Sequence, residues 1–153
     1  MFQRLRKLFQ SKPVPKVSHP IFGELLLNQG ANGPYWLHEA FEDTGGVTIS
    51  IETRVGELPT EQQVRFYQEI TGDEQAMYER VRARLSAEHE KMHRKIVPSD
   101  WRLAFKLAGI GVPLDGDILN PWDIAYECLT DRTRFLYTCY FEDGVLSHVS
   151  VDT

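Results

Sequence analysis

The sequence predicts an α+β protein in which an antiparallel sheet of about six to seven strands packs two helices on one face. Before residue 54 and after residue 100, short runs alternate apolar and polar side chains, which is typical of half-buried strands. Between residues 60 and 97 the apolar spacing is helical instead. A helical block between two blocks of strands favours helices lying over one face of an antiparallel sheet.

Seven strands are predicted, separated by runs rich in glycine, proline and asparagine. Gly45-Gly46 and Asp143-Gly144 are hairpin signals, whereas residues 28–34 and 109–121 have the composition of loops. The N-terminal block holds strands at 22–27, 35–41 and 47–53. The C-terminal block holds strands at 101–107, 122–129, 134–142 and 145–151.

The pairing of the two central C-terminal strands can be predicted from their apolar residues. If Thr130 faces Thr133 across a tight turn, four alternate residues of each strand, eight in all, fall on one face. The last strand has the other parity, which either a β-bulge or partial cover on the second face of the sheet would reconcile. The register opposes Trp122 with Phe141, Ile124 with Cys139, Tyr126 with Tyr137, and Cys128 with Phe135. The two cysteines therefore do not face each other, and no disulfide is expected.

Two helices are predicted from capping residues and apolar stripes. Thr60 and Gln63 have the spacing of a capping box, the first helix stops at Gly72, and Asp73 can cap a second helix that ends by Pro98. The first stripe is Val64, Tyr67 and Ile70; the second is Met77, Val81, Leu85, His89, Met92 and Ile96.

Charge divides the chain of 153 residues into two parts. The first 16 residues carry five basic side chains and no acidic one, while the remainder has a net charge of −10. Residues 1–18 are interpreted as a basic amphipathic leader with a proline-containing linker, and residues 19–153 as one domain. The leader could contact an anionic membrane surface through residues 1–10, or it could be a frayed terminus or a turn that docks on its own domain. An acidic domain repels nucleic acid and attracts basic proteins.

A histidine pair is the strongest catalytic candidate. His89-Glu90-Lys91-Met92-His93 fits the H-E-x-x-H pattern, in which two histidines bind zinc and the glutamate activates water. Ile96 and Ser99 stand where the longer form of the motif has glycine and histidine. The downstream carboxylates Asp115, Asp117, Asp123 and Glu127 lack a recognisable third-ligand context. A zinc-dependent hydrolase is therefore kept as the alternative, and a packed helix histidine is the simpler interpretation.

Other common sites have no match in the sequence. There is no G-x-S-x-G, Walker or G-x-G-x-x-G motif, and Asp115-Gly116-Asp117 does not continue as an EF-hand because Tyr126 occupies the twelfth position. Two cysteines favour a reducing cytoplasm, and no apolar run approaches the roughly 20 residues of a membrane-spanning helix. We therefore expect no enzyme activity and no cofactor.

The arrangement of motifs resembles small bacterial α+β families that are encoded as immunity proteins beside polymorphic toxins. The resemblance rests on His19-Pro20-Ile21-Phe22-Gly23, Tyr35-Trp36, Thr60-x-x-Gln63, the long helix and the closing turn Glu142-Asp143-Gly144-Val145. It implies a cytoplasmic protein without catalytic residues that neutralises a cognate toxin by direct binding.

The acidity of the domain agrees with that implication, since a basic toxin would be attracted to it. A membrane-peripheral accessory protein, anchored by residues 1–10, is a further alternative. The candidate contact residues for the partner are the carboxylates Asp115, Asp117, Asp123, Glu42 and Asp43.

Overall fold

The structure, a computed structural model, describes residues 14–40 and 46–152 and forms one eight-stranded sheet with two helices. The strands lie side by side in chain order. They are β1 Lys16–His19, β2 Gly23–Gly30, β3 Gly33–His38, β4 Thr48–Glu52, β5 Phe105–Val112, β6 Trp122–Cys128, β7 Leu136–Glu142 and β8 Val145–Asp152. The helices α1 Glu61–Gly72 and α2 Glu74–His93 connect β4 to β5. The predicted α+β class is confirmed.

The sheet differs from the expected one in strand number and in one pairing. β4 and β5 are parallel, whereas all other neighbours are antiparallel. β4 and β5 run parallel because the two helices between them return the chain to the end of the sheet at which β4 begins. The sheet is therefore mostly antiparallel, and it has eight strands rather than six to seven.

The unpredicted strand is β1. It begins at Lys16, inside the segment 1–18 that was interpreted as leader and linker, and pairs with β2. The spacing of Pro13 and Pro15 indicated a linker, yet the Pro15 carbonyl accepts a hydrogen bond from the Leu27 N–H at 2.9 Å. A short edge strand with one apolar residue, Val17, has too little alternation to be recognised.

The strand predicted at 101–107 is displaced toward the C-terminus. Residues Trp101–Leu103 form a single 3-10 turn, and β5 continues through Val112 into the region predicted as a loop. Trp101 is buried and stacks on Tyr78 of α2 with ring centroids 4.2 Å apart. Of the two apolar residues that began the predicted strand, only Trp101 is packed, in a turn, and Leu103 is 64% exposed.

The helix caps are as predicted. Thr60 Oγ1 accepts the Gln63 N–H at 3.2 Å, and Gln63 Oε1 accepts the Thr60 N–H at 3.0 Å. Asp73 accepts the Ala76 N–H at 2.9 Å at the start of α2. However, α2 ends at His93, because Arg94 adopts a left-handed conformation with φ 54°.

The apolar stripe of α2 is confirmed as far as His89 and fails beyond it. Met77, Val81, Leu85 and His89 are buried, whereas Met92 is 41% exposed and Ile96 is 81% exposed. Ile96 lies beyond the end of the helix at His93, whereas Met92 is exposed within its last turn.

The predicted β6–β7 register is confirmed, as is the irregularity in the last pair. Trp122 pairs with Phe141, Ile124 with Cys139, and Tyr126 with Tyr137. A register shift between Tyr140 and Phe141 brings β8 into phase. Both cysteines are buried and free, as expected.

The core lies between the two helices and one face of the sheet. Because successive strand residues point to opposite faces, the paired core residues define the covered face. It is filled by Trp36, Ile51, Ile124, Tyr126 and Phe141 of the sheet and by Phe66, Met77, Val81 and Leu85 of the helices. We call the opposite side of the sheet the open face; no helix of the described residues packs on it.

Candidate functional sites

Two carboxylates lie near the centre of the open face. Asp123 of β6 pairs with Gly111 of β5, and Gly111 pairs on its other side with Ser50 of β4. A Cβ atom at Gly111 would lie 2.7 Å from Asp123 Oδ2, so the carboxylate rests directly on the glycine backbone. Glu52 is two residues beyond Ser50 on the same face. Glycine thus leaves room for acidic side chains from the two strands that flank β5.

The electrostatics of the two groups are unfavourable to their charged forms. Burial raises the pKa of Asp123. Burial also raises the pKa of Glu52, and the charge of Asp123 raises it further. Within residues 14–40 and 46–152, neither carboxylate forms a salt bridge. The described part of the chain therefore holds two interacting carboxylates that none of its own cationic side chains neutralises.

Tyrosines flank the acidic pair on both sides. Tyr35 of β3 lies opposite Glu52, and Tyr140 of β7 lies opposite Asp123. Tyr140 stacks on the exposed His148 of β8, with ring centroids 4.5 Å apart and planes 14° from parallel. Both tyrosines are half-buried, so their rings line the surface beside the carboxylates.

The carboxylates predicted from sequence do not form one cluster. Asp115 makes a two-pronged contact with Arg54, at 2.7 Å and 2.5 Å, and its charge is thereby neutralised. Asp117 accepts the Leu119 N–H at 2.9 Å within a turn. Asp123 alone of the three lies on the open face, while Glu42 and Asp43 lie outside the described residues.

Glu52 was missed as a candidate. Its position on the polar side of the alternating strand 47–53 was visible, but nothing in the sequence placed β4 two strands from Asp123. Its strand is fixed to α1 by Gln63, whose Nε2 donates to the Glu52 carbonyl at 2.7 Å and to the Pro113 carbonyl at 3.1 Å.

The two aspartates should respond oppositely to replacement by asparagine. The pKa of Asp123 in the folded protein is raised above its ordinary 3.8. The free energy of unfolding therefore falls as the pH rises from 3.8 through the pKa of the folded state, because Asp123 ionises more readily in the unfolded chain. Asp123→Asn should therefore raise the free energy of unfolding at pH 7, with the gain disappearing below pH 3.8. The contact with Arg54 lowers the pKa of Asp115, so Asp115→Asn should reduce stability at pH 7 and lose this effect as the carboxylate becomes protonated. Urea titrations of the wild type and both variants, at pH 7 and below pH 3.8, measure these differences in the free energy of unfolding. Stabilisation by both variants at pH 7 would contradict the assigned directions of the two pKa shifts.

A second cluster lies where the C-terminal turn of α2 meets the end of β6. His89 and His93 are one helical turn apart, and their ring centroids are 4.6 Å from each other. Cys128 is the last residue of β6, on the covered face. The potential ligand atoms of these three residues all lie within 4.8 Å of one another.

Hydrogen bonds fix the orientation of His89. Its Nδ1 lies 3.2 Å from the Lys95 carbonyl, which can only accept, so Nδ1 carries the proton. Nε2 then accepts from the Thr130 hydroxyl at 3.1 Å. Burial and the neighbouring His93 lower the pKa of His89, which therefore stays neutral near pH 7.

His93 occupies the rim of the same cluster. Its Nε2 lies 3.7 Å from Cys128 Sγ and 3.3 Å from Tyr137 Oη. Asp131 Oδ2 is 3.9 Å from the same nitrogen, and the two side chains are 16% and 17% exposed. Solvent thus reaches the cluster from the side of the β6–β7 turn.

The glutamate of the H-E-x-x-H match does not join the histidines. Glu90 is exposed and lines a cleft on the flank of α2 together with Tyr78, Arg82 and Trp101. Neither histidine lines that cleft. The structure therefore does not combine the two histidines with a catalytic base. It places them beside a cysteine that the sequence did not associate with them.

Fold and sites together define an α+β protein with a half-covered eight-stranded sheet, an acidic pair on its open face and a His/Cys cluster under its long helix. No family model, no curated protein and no solved structure matches the chain. Across the described part of the chain, neither helix combines the length and apolar character needed to cross a membrane.

Proposed function

We propose that this chain is a non-enzymatic binding protein of the bacterial cytoplasm, an immunity protein that neutralises a cationic protein toxin by docking it on the open face. The observation that supports the proposal is the pair Glu52 and Asp123, two half-buried carboxylates that form no salt bridge within residues 14–40 and 46–152, on a sheet face that no described helix covers.

The chemistry of the pair favours a lysine or arginine side chain as its ligand. Part of the desolvation cost of both carboxylates is already incurred in the free protein, so an incoming cation meets less opposition than at a fully hydrated surface. A cation between them would relieve their mutual repulsion and form charge-assisted hydrogen bonds. Strongly coupled pairs of this kind slow dissociation from an interface.

The surroundings of the pair favour a protein as the source of that cation. Tyr35 and Tyr140 border the carboxylates, and tyrosine is enriched at interface centres because its ring contributes contact area at low entropic cost. The net charge of −10 after residue 16 speeds association with a basic protein and opposes nucleic acid.

Co-expression tests the proposal. The chain should be produced in bacteria with each protein encoded by the reading frames adjacent to its own gene. We expect one of these products to be basic, to stop growth when expressed alone, and to form a complex with this chain that restores growth. Absence of both rescue and complex formation for all adjacent products would contradict the immunity function.

A further inference from the structure

We propose that His89, His93 and Cys128 bind one zinc ion at the junction of α2 and β6. The site is separate from the open face, because Cys128 points to the covered side of the sheet. Its proposed role is to fasten the end of α2 to the β6–β7 turn, without hydrolysis of a substrate.

The distances fit a metal site that needs little rearrangement. Histidine nitrogen and cysteine sulfur bind zinc at about 2.1 and 2.3 Å, so two such ligands of a tetrahedral ion lie about 3.6 Å apart. The observed separation of His93 Nε2 and Cys128 Sγ is 3.7 Å. All three ligand atoms lie within 4.8 Å of one another, so the remaining contraction is small.

The surroundings of His89 are those of a metal ligand. Ligating histidines almost always donate their other ring N–H to a carbonyl or carboxylate, which fixes the tautomer and increases the basicity of the ligating nitrogen. The Lys95 carbonyl has this role for His89, and the ring is only 1% exposed. With its Nδ1–H directed to that carbonyl, the buried ring presents Nε2 to the cluster.

The remaining neighbours fit the thiolate and the fourth coordination position. Zinc would displace the proton of Cys128 to solvent, and the Thr130 hydroxyl, 3.2 Å from Sγ, could then donate to the thiolate. Asp131 Oδ1 is held by the Thr133 N–H and hydroxyl at 2.9 and 2.8 Å, while Oδ2 faces His93. Oδ2 is placed to accept a hydrogen bond from a water in the fourth position.

Cobalt substitution is the most direct test. The full chain should be stripped with a chelator, titrated with Co²⁺ alone and then with Zn²⁺. We expect one equivalent of cobalt to give the near-ultraviolet thiolate-to-cobalt charge-transfer band, and zinc to abolish it. Zinc should also raise the melting temperature.

Matched variants distinguish the site from adventitious binding. Cys128→Ser should lose the charge-transfer band. His93→Gln, at the more exposed rim, should weaken zinc binding at least about tenfold, because loss of even an outer-shell partner of a ligand typically costs about 10–100-fold in affinity. Cys139→Ser, which removes the other buried thiol, should retain both band and affinity. If Cys128→Ser does not fold, the results for His93→Gln and Cys139→Ser still show whether the metal binds at this site. A missing band, or a band that disappears with Cys139, would show that the residues form only a hydrogen-bonded core cluster.

Discussion

Replacement of Asp123 by lysine is expected to lower the affinity for the cationic partner at least about 100-fold, or roughly 2.7 kcal/mol. Coupling energies of close charge pairs in interfaces reach about 1.5–7 kcal/mol, and the substitution replaces attraction by repulsion. The substitution removes one carboxylate of the pair, and the new ammonium group would oppose the charge of the other, Glu52. Isothermal calorimetry on the purified complex measures the change.

Glu69→Lys provides the matched control for this experiment. Glu69 is exposed on α1, on the covered side of the sheet, and the substitution changes the net charge by the same amount. Glu69→Lys should lower the association rate constant slightly, because it reduces the net negative charge of the protein, and should leave the dissociation rate constant unchanged. Equal losses of affinity in both variants would mean that net charge, rather than the open face, determines binding.

Gly116→Ala is expected to destabilise the fold by about 3 kcal/mol or more, the combined effect of overpacking and an unfavourable backbone angle. Gly116 has φ 66°, and a Cβ there would lie 2.6 Å from the Gln63 nitrogen and closer still to the Gln62 carbonyl carbon. These are backbone atoms of α1, so they cannot move aside as a side chain would. The first turn of α1 would have to separate from the 3-10 turn at Leu114–Gly116.

Gly72→Ala is the control for this glycine. Gly72 ends α1, and a Cβ atom added there would have nothing within 4 Å, so alanine should be neutral or stabilise by up to about 1 kcal/mol. Urea unfolding with an unchanged m-value measures both effects. A Gly116→Ala protein as stable as wild type would contradict the close packing of the turn against α1.

The sequence was most informative where packing repeats locally. Alternation of Trp122, Ile124 and Tyr126 requires one register with β7 because a slip of one residue would bury the polar face. The capping box at Thr60 needs only residues three apart. In contrast, β1 has too few apolar residues to signal a strand, and β5 was displaced because Trp101 belongs to a buried turn.

The sites could be predicted only in part because each joins residues distant in sequence. The helical spacing of His89 and His93 is local, whereas their approach to Cys128 depends on how α2 crosses the end of β6. Asp123 was selected as an acidic residue, but its pairing with Glu52 requires the parallel β4–β5 connection. No pattern within either strand encodes that connection, since it results from the packing of both intervening helices.

Carboxyl footprinting of the free chain and of its complex with the proposed cationic partner tests the docking surface most directly. Exposed and half-exposed carboxylates are coupled to an amine reagent, and the modified residues are identified by mass spectrometry. We expect complex formation to suppress modification of Glu52 on the open face and to leave Glu69 and Glu79 on the helices unchanged. Protection of the helix carboxylates with continued modification of Glu52 would contradict docking on the open face.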